Sequence, residues 1–317
     1  MSPTALPLSF RQRLRLYAVL TKLRLSGLVL ATTAAAYLLA RRGPLDGLEL
    51  AATLAGTFLC ALSAAAFNQV WERERDARME RTRGRPLPSR RLRAGEALAA
   101  AWVMLVAGGA VLLAGTNALT AGLALLTVAL YLYVYTPLKP RSSLNTLVGA
   151  VCGALPPVLG WTAAAGRLEA GAWLFGLLLF LWQVPHFLAL AWLYREDYAR
   201  GGFRMLPALD PGGQLTGALS TLYSLALLPL GLGFALAGLV GPGAAMGVAL
   251  LSLGLVAASV QLWRRLDHPS ARRLFVASVL VLPLMLILLV AGATPRRGTP
   301  GLAARAGETA LSHARWR

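Results

Sequence analysis

The run Phe67–Arg91, FNQVWERERDARMERTRGRPLPSRR, closes a long and almost wholly apolar stretch. It holds four acids, and nine arginines fall between residues 73 and 93. Asn68, Glu72 and Asp76 stand at i, i+4 and i+8, a spacing that stacks all three on one face of a helix with only slight drift per turn. Acids that needed only water could sit anywhere in a loop. Three oxygen-bearing side chains in a column, where an apolar helix leaves a membrane, suit a hard cation such as Mg²⁺. That ion takes one or two carboxylates and fills its other positions with water and substrate phosphate. The arginines beyond suit a bidentate hold on phosphate oxygens. On spacing alone, a solvated helix end laced with Glu–Arg pairs is the competing account.

The composition sets the solvent. Of 317 residues, 57% are hydrophobic and 14% charged, against roughly 25% charged in a soluble domain, and mean hydropathy is +0.61. The formal net charge is +18, carried almost entirely by arginine, with Lys22 and Lys139 the only lysines. Such basicity often marks a nucleic-acid binder, but here the cations sit in short gaps between apolar runs. Membrane lipid headgroups or an anionic substrate are the better partners, and no nucleic acid is expected. Cys60 and Cys152 lie far apart inside apolar stretches and match no metal-ligand spacing. The first ten residues carry no signal-peptide pattern, so no cleaved targeting segment is expected.

A bilayer core of about 30 Å needs about 20 apolar residues as helix. Nine segments approach this: 24–40, 48–70, 97–115, 118–136, 145–165, 171–194, 216–239, 243–263 and 273–293. The expected fold is therefore all-α, a polytopic bundle of about nine transmembrane helices. The gaps are short, so residues 24–293 read as one domain, preceded by a basic segment (1–23) and followed by a tail (294–317) rich in Gly, Ala and Arg that reads as disordered. Alternate gaps collect 23 Lys and Arg on one side and 3 on the other, with 5 more in the tail. This places the N-terminus and the long gaps in the cytoplasm. Nine spans put the tail outside, against the same rule, so the helix count or the tail's side is left open.

Two further stretches carry polar groups at depth. In LWQVPHFLALAWLYREDYARGGFRMLP (181–207), Gln183 and His186 fall within an apolar helix, where polar groups are costly and hence functional candidates; an interhelical hydrogen bond is the plainer role for His186. Pro185 removes one backbone donor and is expected to open the helix there. Asp197, next to Glu196, follows where the segment reaches the cytoplasmic side. In YTPLKPRSSLNTLVGAVCGALPPVLGW (135–161), Lys139 and Arg141 lie beside the helix opened by Asn145, a fair anion site. Gly149, Gly153 and Gly160 suit close helix packing. Two acid clusters with cations beside them, on an apolar bundle open to one side, fit an amphiphilic diphosphate with its head on metal and arginine and its tail among helices.

These residues resemble the UbiA-type intramembrane prenyltransferases, and most closely their haem-modifying branch. The pattern N-x-x-x-D/E-x-x-x-D-x-x-M-x-R-T-x-x-R-P-L is met by Asn68, Glu72, Asp76, Met79, Arg81, Thr82, Arg85, Pro86 and Leu87. Y-T-x-x-L-K is similar to Tyr135, Thr136 and Lys139, shifted by one. N-x-x-x-G…G-A-x-P-P-x-x-G-W is met by Asn145, Gly149, Gly153, Ala154, Pro156, Pro157, Gly160 and Trp161, and W-Q-x-P-H-F…D-Y…M-L-P by Trp182, Gln183, Pro185, His186, Phe187, Asp197, Tyr198, Met205, Leu206 and Pro207. The resemblance covers roughly residues 15 to 293. It implies a nine-helix bundle around a central cavity open to the cytoplasmic side, in the inner membrane of a bacterium. It implies Mg²⁺ as cofactor and transfer of a farnesyl (hydroxyethylfarnesyl) group from farnesyl diphosphate to a vinyl group of haem B, giving haem O. Catalytic and metal-binding roles then fall to Asn68, Glu72, Asp76 and Asp197, diphosphate binding to Arg81, Arg85 and Lys139, and haem contact to His186, Gln183 and Trp182, with His186 a candidate axial ligand. A haem A synthase or terminal oxidase assembly proteins are the implied partners. Position 72 is Glu where many relatives carry Asp. Position 193 is Leu where the quinone branch has the first of two Asp, which leaves one or two metal ions open. Two rivals stand beside this reading: a prenyltransferase for an aromatic or quinone precursor, and a transporter for an anionic lipid. The latter would need polar residues along its whole path, whereas here they concentrate at one end.

Overall fold

The computed structural model describes residues 9–294, which are almost wholly helical. Most of the expected 294–317 tail and residues 1–8 lie outside the described residues. The order is α1 (Phe10–Leu20), α2 (Leu23–Ala40), α3 (Gly47–Asp76), α4 (Ala94–Gly115), α5 (Ala118–Ala129), a π-helical turn (Leu130–Tyr135), α6 (Thr136–Leu138), α7 (Asn145–Ala165), α8 (Ala170–Leu193), α9 (Arg195–Arg200), α10 (Leu206–Leu209), α11 (Gln214–Ala226), α12 (Leu230–Leu236), α13 (Pro242–Arg265) and α14 (His268–Ala291). Among the described residues, eight helices are long and apolar enough to cross a membrane. A ninth span arises if α1 and α2, bent by 60° at their junction, count as one. The protein is thus a multi-pass membrane protein. Apolar side chains such as Val103, Val106, Leu250, Leu280 and Ile287 face outward, as a lipid-solvated surface requires.

Helix α3 sets the site. Its 30 residues span about 45 Å at 1.5 Å per residue, well beyond a hydrocarbon core of about 30 Å. Asp46 caps its start, accepting from the Leu48 and Glu49 amides at 3.0 Å. Its last turns project past the apolar slab and carry Glu72 and Asp76. α1 packs beside this end, and Gln69 closes it by donating to the Val19 and Leu20 carbonyls at 2.9 and 2.7 Å.

Small residues let the helices approach. A Cβ on Gly56 would lie 2.9 Å from the Gly108 carbonyl, so α3 and α4 touch backbone to backbone. Gly160 of α7 abuts the Thr33 carbonyl of α2 in the same way. Buried serines fill the gaps between later helices, with Ser224 and Ser259 bonded at 2.9 Å across α11 and α13. Pro156, Pro157 and Pro283 are carried inside continuous helices. Pro185 does not open α8, which runs unbroken from Ala170 to Leu193; neighbouring helices pack all round this segment. Gly241 N donates to the Gly292 carbonyl at 2.8 Å, and Thr294 N to Leu239 at 3.0 Å. The described chain therefore ends against the turn between α12 and α13.

Candidate active site

A cavity of about 440 Å³ runs from the end of α3 into the bundle. Glu72, Asp76, Met79, Arg81, Thr82, Arg85, Lys139 and Lys22 border its polar end; Val29, Cys60, Ala64, Val128, Leu159 and Leu282 border its apolar depth; Trp182, Gln183 and His186 form part of its wall. Four basic side chains, Lys22, Arg81, Arg85 and Lys139, face two carboxylates at that polar end.

Each cation is held by a specific contact. Arg85 Nη1 donates to Asp76 Oδ2 at 2.7 Å, and the Thr82 hydroxyl to the Asp76 carbonyl at 2.8 Å. The arginine loop after α3 therefore folds back onto its own helix end. Lys139 Nζ lies 2.8 Å from Glu72 Oε1 and donates to Oε2 at 3.2 Å. The ammonium also sits 4.6 Å from the centre of the Tyr135 ring. Burial would lower the Lys139 pKa, but the charge and hydrogen bond of Glu72, with Tyr131 and Tyr198, together hold the group above the ordinary lysine value. Lys22, in the joint between α1 and α2, donates to Asn68 Oδ1 at 3.2 Å. Arg81 stacks on the Tyr194 and Tyr198 rings at 4.9 and 5.3 Å.

Two of the expected site residues make contacts away from the cavity wall. Asn68 and Asp197 do not border the cavity. Asn68 is fully buried behind it, donating to the Thr136 hydroxyl at 3.2 Å. Asp197 Oδ1 accepts from the Glu80 amide at 2.8 Å and from Arg200 at 2.9 Å, while Oδ2 accepts from the Arg81 amide at 3.2 Å. Burial would raise the Asp197 pKa, but these hydrogen bonds hold it below the ordinary carboxylate value. Asp197 thus ties α9 to the arginine loop that follows α3. Among the described residues, no three His, Cys, Asp or Glu side chains gather to hold a metal. The donors that do fit a hard divalent ion are Glu72 and Asp76. Both border the cavity, and each meets one cation there, Glu72 with Lys139 and Asp76 with Arg85.

The third motif resolves into contacts. A Cβ on Gly149 would lie 2.7 Å from the Tyr135 ring, and one on Gly153 would collide with the Gln183 amide. Gln183 donates to the Ala150 carbonyl at 2.7 Å. Asn145 opens α7. Its amide donates to the Ser142 and Arg204 carbonyls at 2.6 and 3.1 Å, tying two loops together. Lys22 is the cavity residue that its sequence neighbourhood failed to mark. The available signal was that both lysines of an arginine-rich chain were worth separate attention: a lysine is a compact point charge, unlike the planar guanidinium fork. The π-helical turn, which aims Tyr131 and Tyr135 at the cavity, also had no sequence signature. Thr136, the residue after it, donates from its hydroxyl to the Tyr131 carbonyl at 2.8 Å.

Residues 29–291 match the UbiA prenyltransferase family. The chain belongs to that family. It is 43% identical over 286 residues to a protoheme IX farnesyltransferase of Solibacter usitatus, covering 87% of this chain and 98% of that protein. It is 40% identical over 285 residues to the mitochondrial protoheme IX farnesyltransferase of Homo sapiens, covering 89% of this chain and 63% of the longer human protein. Among solved structures, a digeranylgeranylglyceryl phosphate synthase superposes with a TM-score of 0.71 at 16% identity, covering 88% of this chain and 98% of that one. A UbiA homologue from Archaeoglobus fulgidus bound to DMAPP and Mg²⁺ superposes with a TM-score of 0.57 at 13% identity, covering 86% and 98%. The family is one of enzymes that move prenyl groups, and the fold is theirs.

Proposed function

We propose that this protein transfers a farnesyl group from farnesyl diphosphate to a vinyl group of haem B, giving haem O with its hydroxyethylfarnesyl substituent. The carrying observation is the one-sided cavity, with a carboxylate pair among four cations at its mouth and an apolar interior that reaches the Trp182–His186 wall. The relatives that share about two-fifths of its sequence are named for this reaction.

Glu72 and Asp76 would hold Mg²⁺, which supplies positive charge against the diphosphate when bound. Lys139 and Arg85, now paired with these carboxylates, would turn to the diphosphate when the carboxylates hold the ion. The two cations, with Arg81 and Lys22, are then available to phosphate oxygens. The C1–O bond of the prenyl diphosphate breaks with its electron pair leaving on the diphosphate, whose growing charge these side chains stabilise. The Tyr131 and Tyr135 rings flank the cavity and favour the allylic cation by their π faces. The vinyl π electrons of haem bond to the allylic carbon. Water adds to the cation left beside the ring and loses a proton, completing the hydroxyethyl group. The apolar depth of the cavity keeps other water from the allylic cation.

The mouth faces the cytoplasm of a bacterial inner membrane in this reading, because the loops at that end carry most of the Lys and Arg. Membranes supplied with haem B, Mg²⁺ and farnesyl diphosphate will yield haem O by mass spectrometry. A prenylated aromatic acid or quinone precursor in its place, with no Soret band on titration of the purified protein with haem B, would overturn the acceptor assignment.

A further inference from the structure

Residue 278 of α14 holds two of the cavity-facing side chains of α8. Trp182 Nε1 donates to the Ser278 carbonyl at 2.9 Å, and His186 Nδ1 lies 2.8 Å from the Ser278 hydroxyl. A serine hydroxyl has one proton to give. Here it is given to the Phe275 carbonyl, 2.7 Å away on the same helix. With that proton on Phe275, the oxygen offers His186 a lone pair, and the 2.8 Å contact is completed by a proton on Nδ1. In the neutral ring the other nitrogen, Nε2, then carries a free lone pair.

Aromatic rings crowd the imidazole. It stacks on Trp182, at 5.1 Å and 20°, and on Phe275, at 4.9 Å and 28°, with the Phe187 ring edge-on at 5.4 Å. Ser278, fully buried, closes the Nδ1 edge. His186 borders the cavity, and no hydrogen bond among the described residues reaches Nε2.

We infer that Ser278 is a positioning residue that fixes the tautomer of His186, so that Nε2 faces the cavity as a nitrogen ligand for the iron of the bound tetrapyrrole. This rests on the reading of haem B as acceptor. An Nδ1–H donated to a fixed oxygen sets ring orientation and raises the basicity of Nε2, the usual arrangement behind metal-bound histidines. The aromatic pair prevents ring rotation, and the hydroxyl chooses which nitrogen is protonated.

The test uses the full-length protein in detergent. Histidine-selective ¹⁵N spectra of the protein without ligand will show His186 protonated at Nδ1 and unprotonated at Nε2. Ser278→Ala will show mixed tautomers, about tenfold weaker haem B binding and a shifted iron–histidine stretch in the resonance Raman spectrum of the ferrous complex. Farnesyl diphosphate binding, on the opposite wall, will be unchanged and reports that the variant is folded. Ser278→Thr, which keeps the hydroxyl, will restore both haem signals, and His186→Ala will lose the iron–histidine band. An Nε2-protonated His186 in the wild type, or a Ser278→Ala protein with wild-type affinity and stretch, overturns the inference. If haem O is still formed in that case, the acceptor assignment survives. If the wild type neither binds haem B nor makes haem O, both fall together.

Discussion

At the scale of single residues, Glu72 and Asp76 hold a double role: each now neutralises a cation that the substrate would otherwise claim. Asp76→Asn keeps the shape and removes the charge. It is expected to lower prenyl transfer by about 10²–10³-fold, the cost of losing one preorganised electrostatic partner, while the protein still inserts and folds. Wild-type turnover in that variant, measured by mass spectrometry of haem, would remove Asp76 from the metal site. Lys139→Met should raise the KM for the diphosphate and lower kcat together, because the ammonium bears on both bound and departing phosphate. An unchanged KM would place Lys139 outside the diphosphate site. The spacing of the three polar residues was readable in the sequence. The direction in which Asn68 points was not, since it depends on Lys22 and Thr136, one from an earlier helix joint and one from a later helix.

At the scale of elements, the loop between α3 and α4 is shaped by Asp197 from outside it. A carboxylate held below its ordinary pKa contributes stability that is fully present above the ordinary value and is lost as pH falls through the lowered one. The Glu80 and Arg81 amides should thus stay protected from hydrogen exchange, corrected for intrinsic rates, from neutral pH down to about 4. Protection should disappear in stronger acid. Asp197→Asn should abolish this acid transition and loosen the loop by about 2 kcal/mol, the cost of two weakened amide bonds. Equal protection in variant and wild type would show that the loop holds itself. The sequence marked Asp197 through its motif, and its bonds to the loop amides came from the tertiary structure. Motif matching carries residue identity, while the partner of a carboxylate is fixed by which loop packs beside it.

At the scale of the whole molecule, function needs the helices to approach closely enough to seal an apolar chamber around a charged mouth. Gly160→Val would push against the Thr33 carbonyl of α2. It should destabilise the bundle by about 1–3 kcal/mol, seen as a lower midpoint of thermal unfolding in detergent. A midpoint equal to wild type would mean that α2 can move aside without loss. Removal of divalent metal by EDTA should abolish transfer, and added Mg²⁺ should restore it, with the fold intact by circular dichroism. Transfer persisting in excess chelator would end the divalent-ion reading.

The sequence by itself determined the all-helical membrane bundle, the nine apolar segments and the end at which charge collects. These follow from hydropathy over stretches of about 20 residues and from charge counts between them, and neither needs a neighbour in space. The motif residues Glu72, Asp76, Arg81, Arg85, Lys139 and His186 were likewise legible, and all six border the cavity. Only the tertiary structure decided that Asn68 bonds to Thr136 and Asp197 to the arginine loop, that Lys22 borders the cavity, that α8 passes Pro185 unbroken, and that Ser278 meets His186. Each of these depends on a hydrogen bond or packing contact between residues far apart in the chain, and no local pattern encodes the partner.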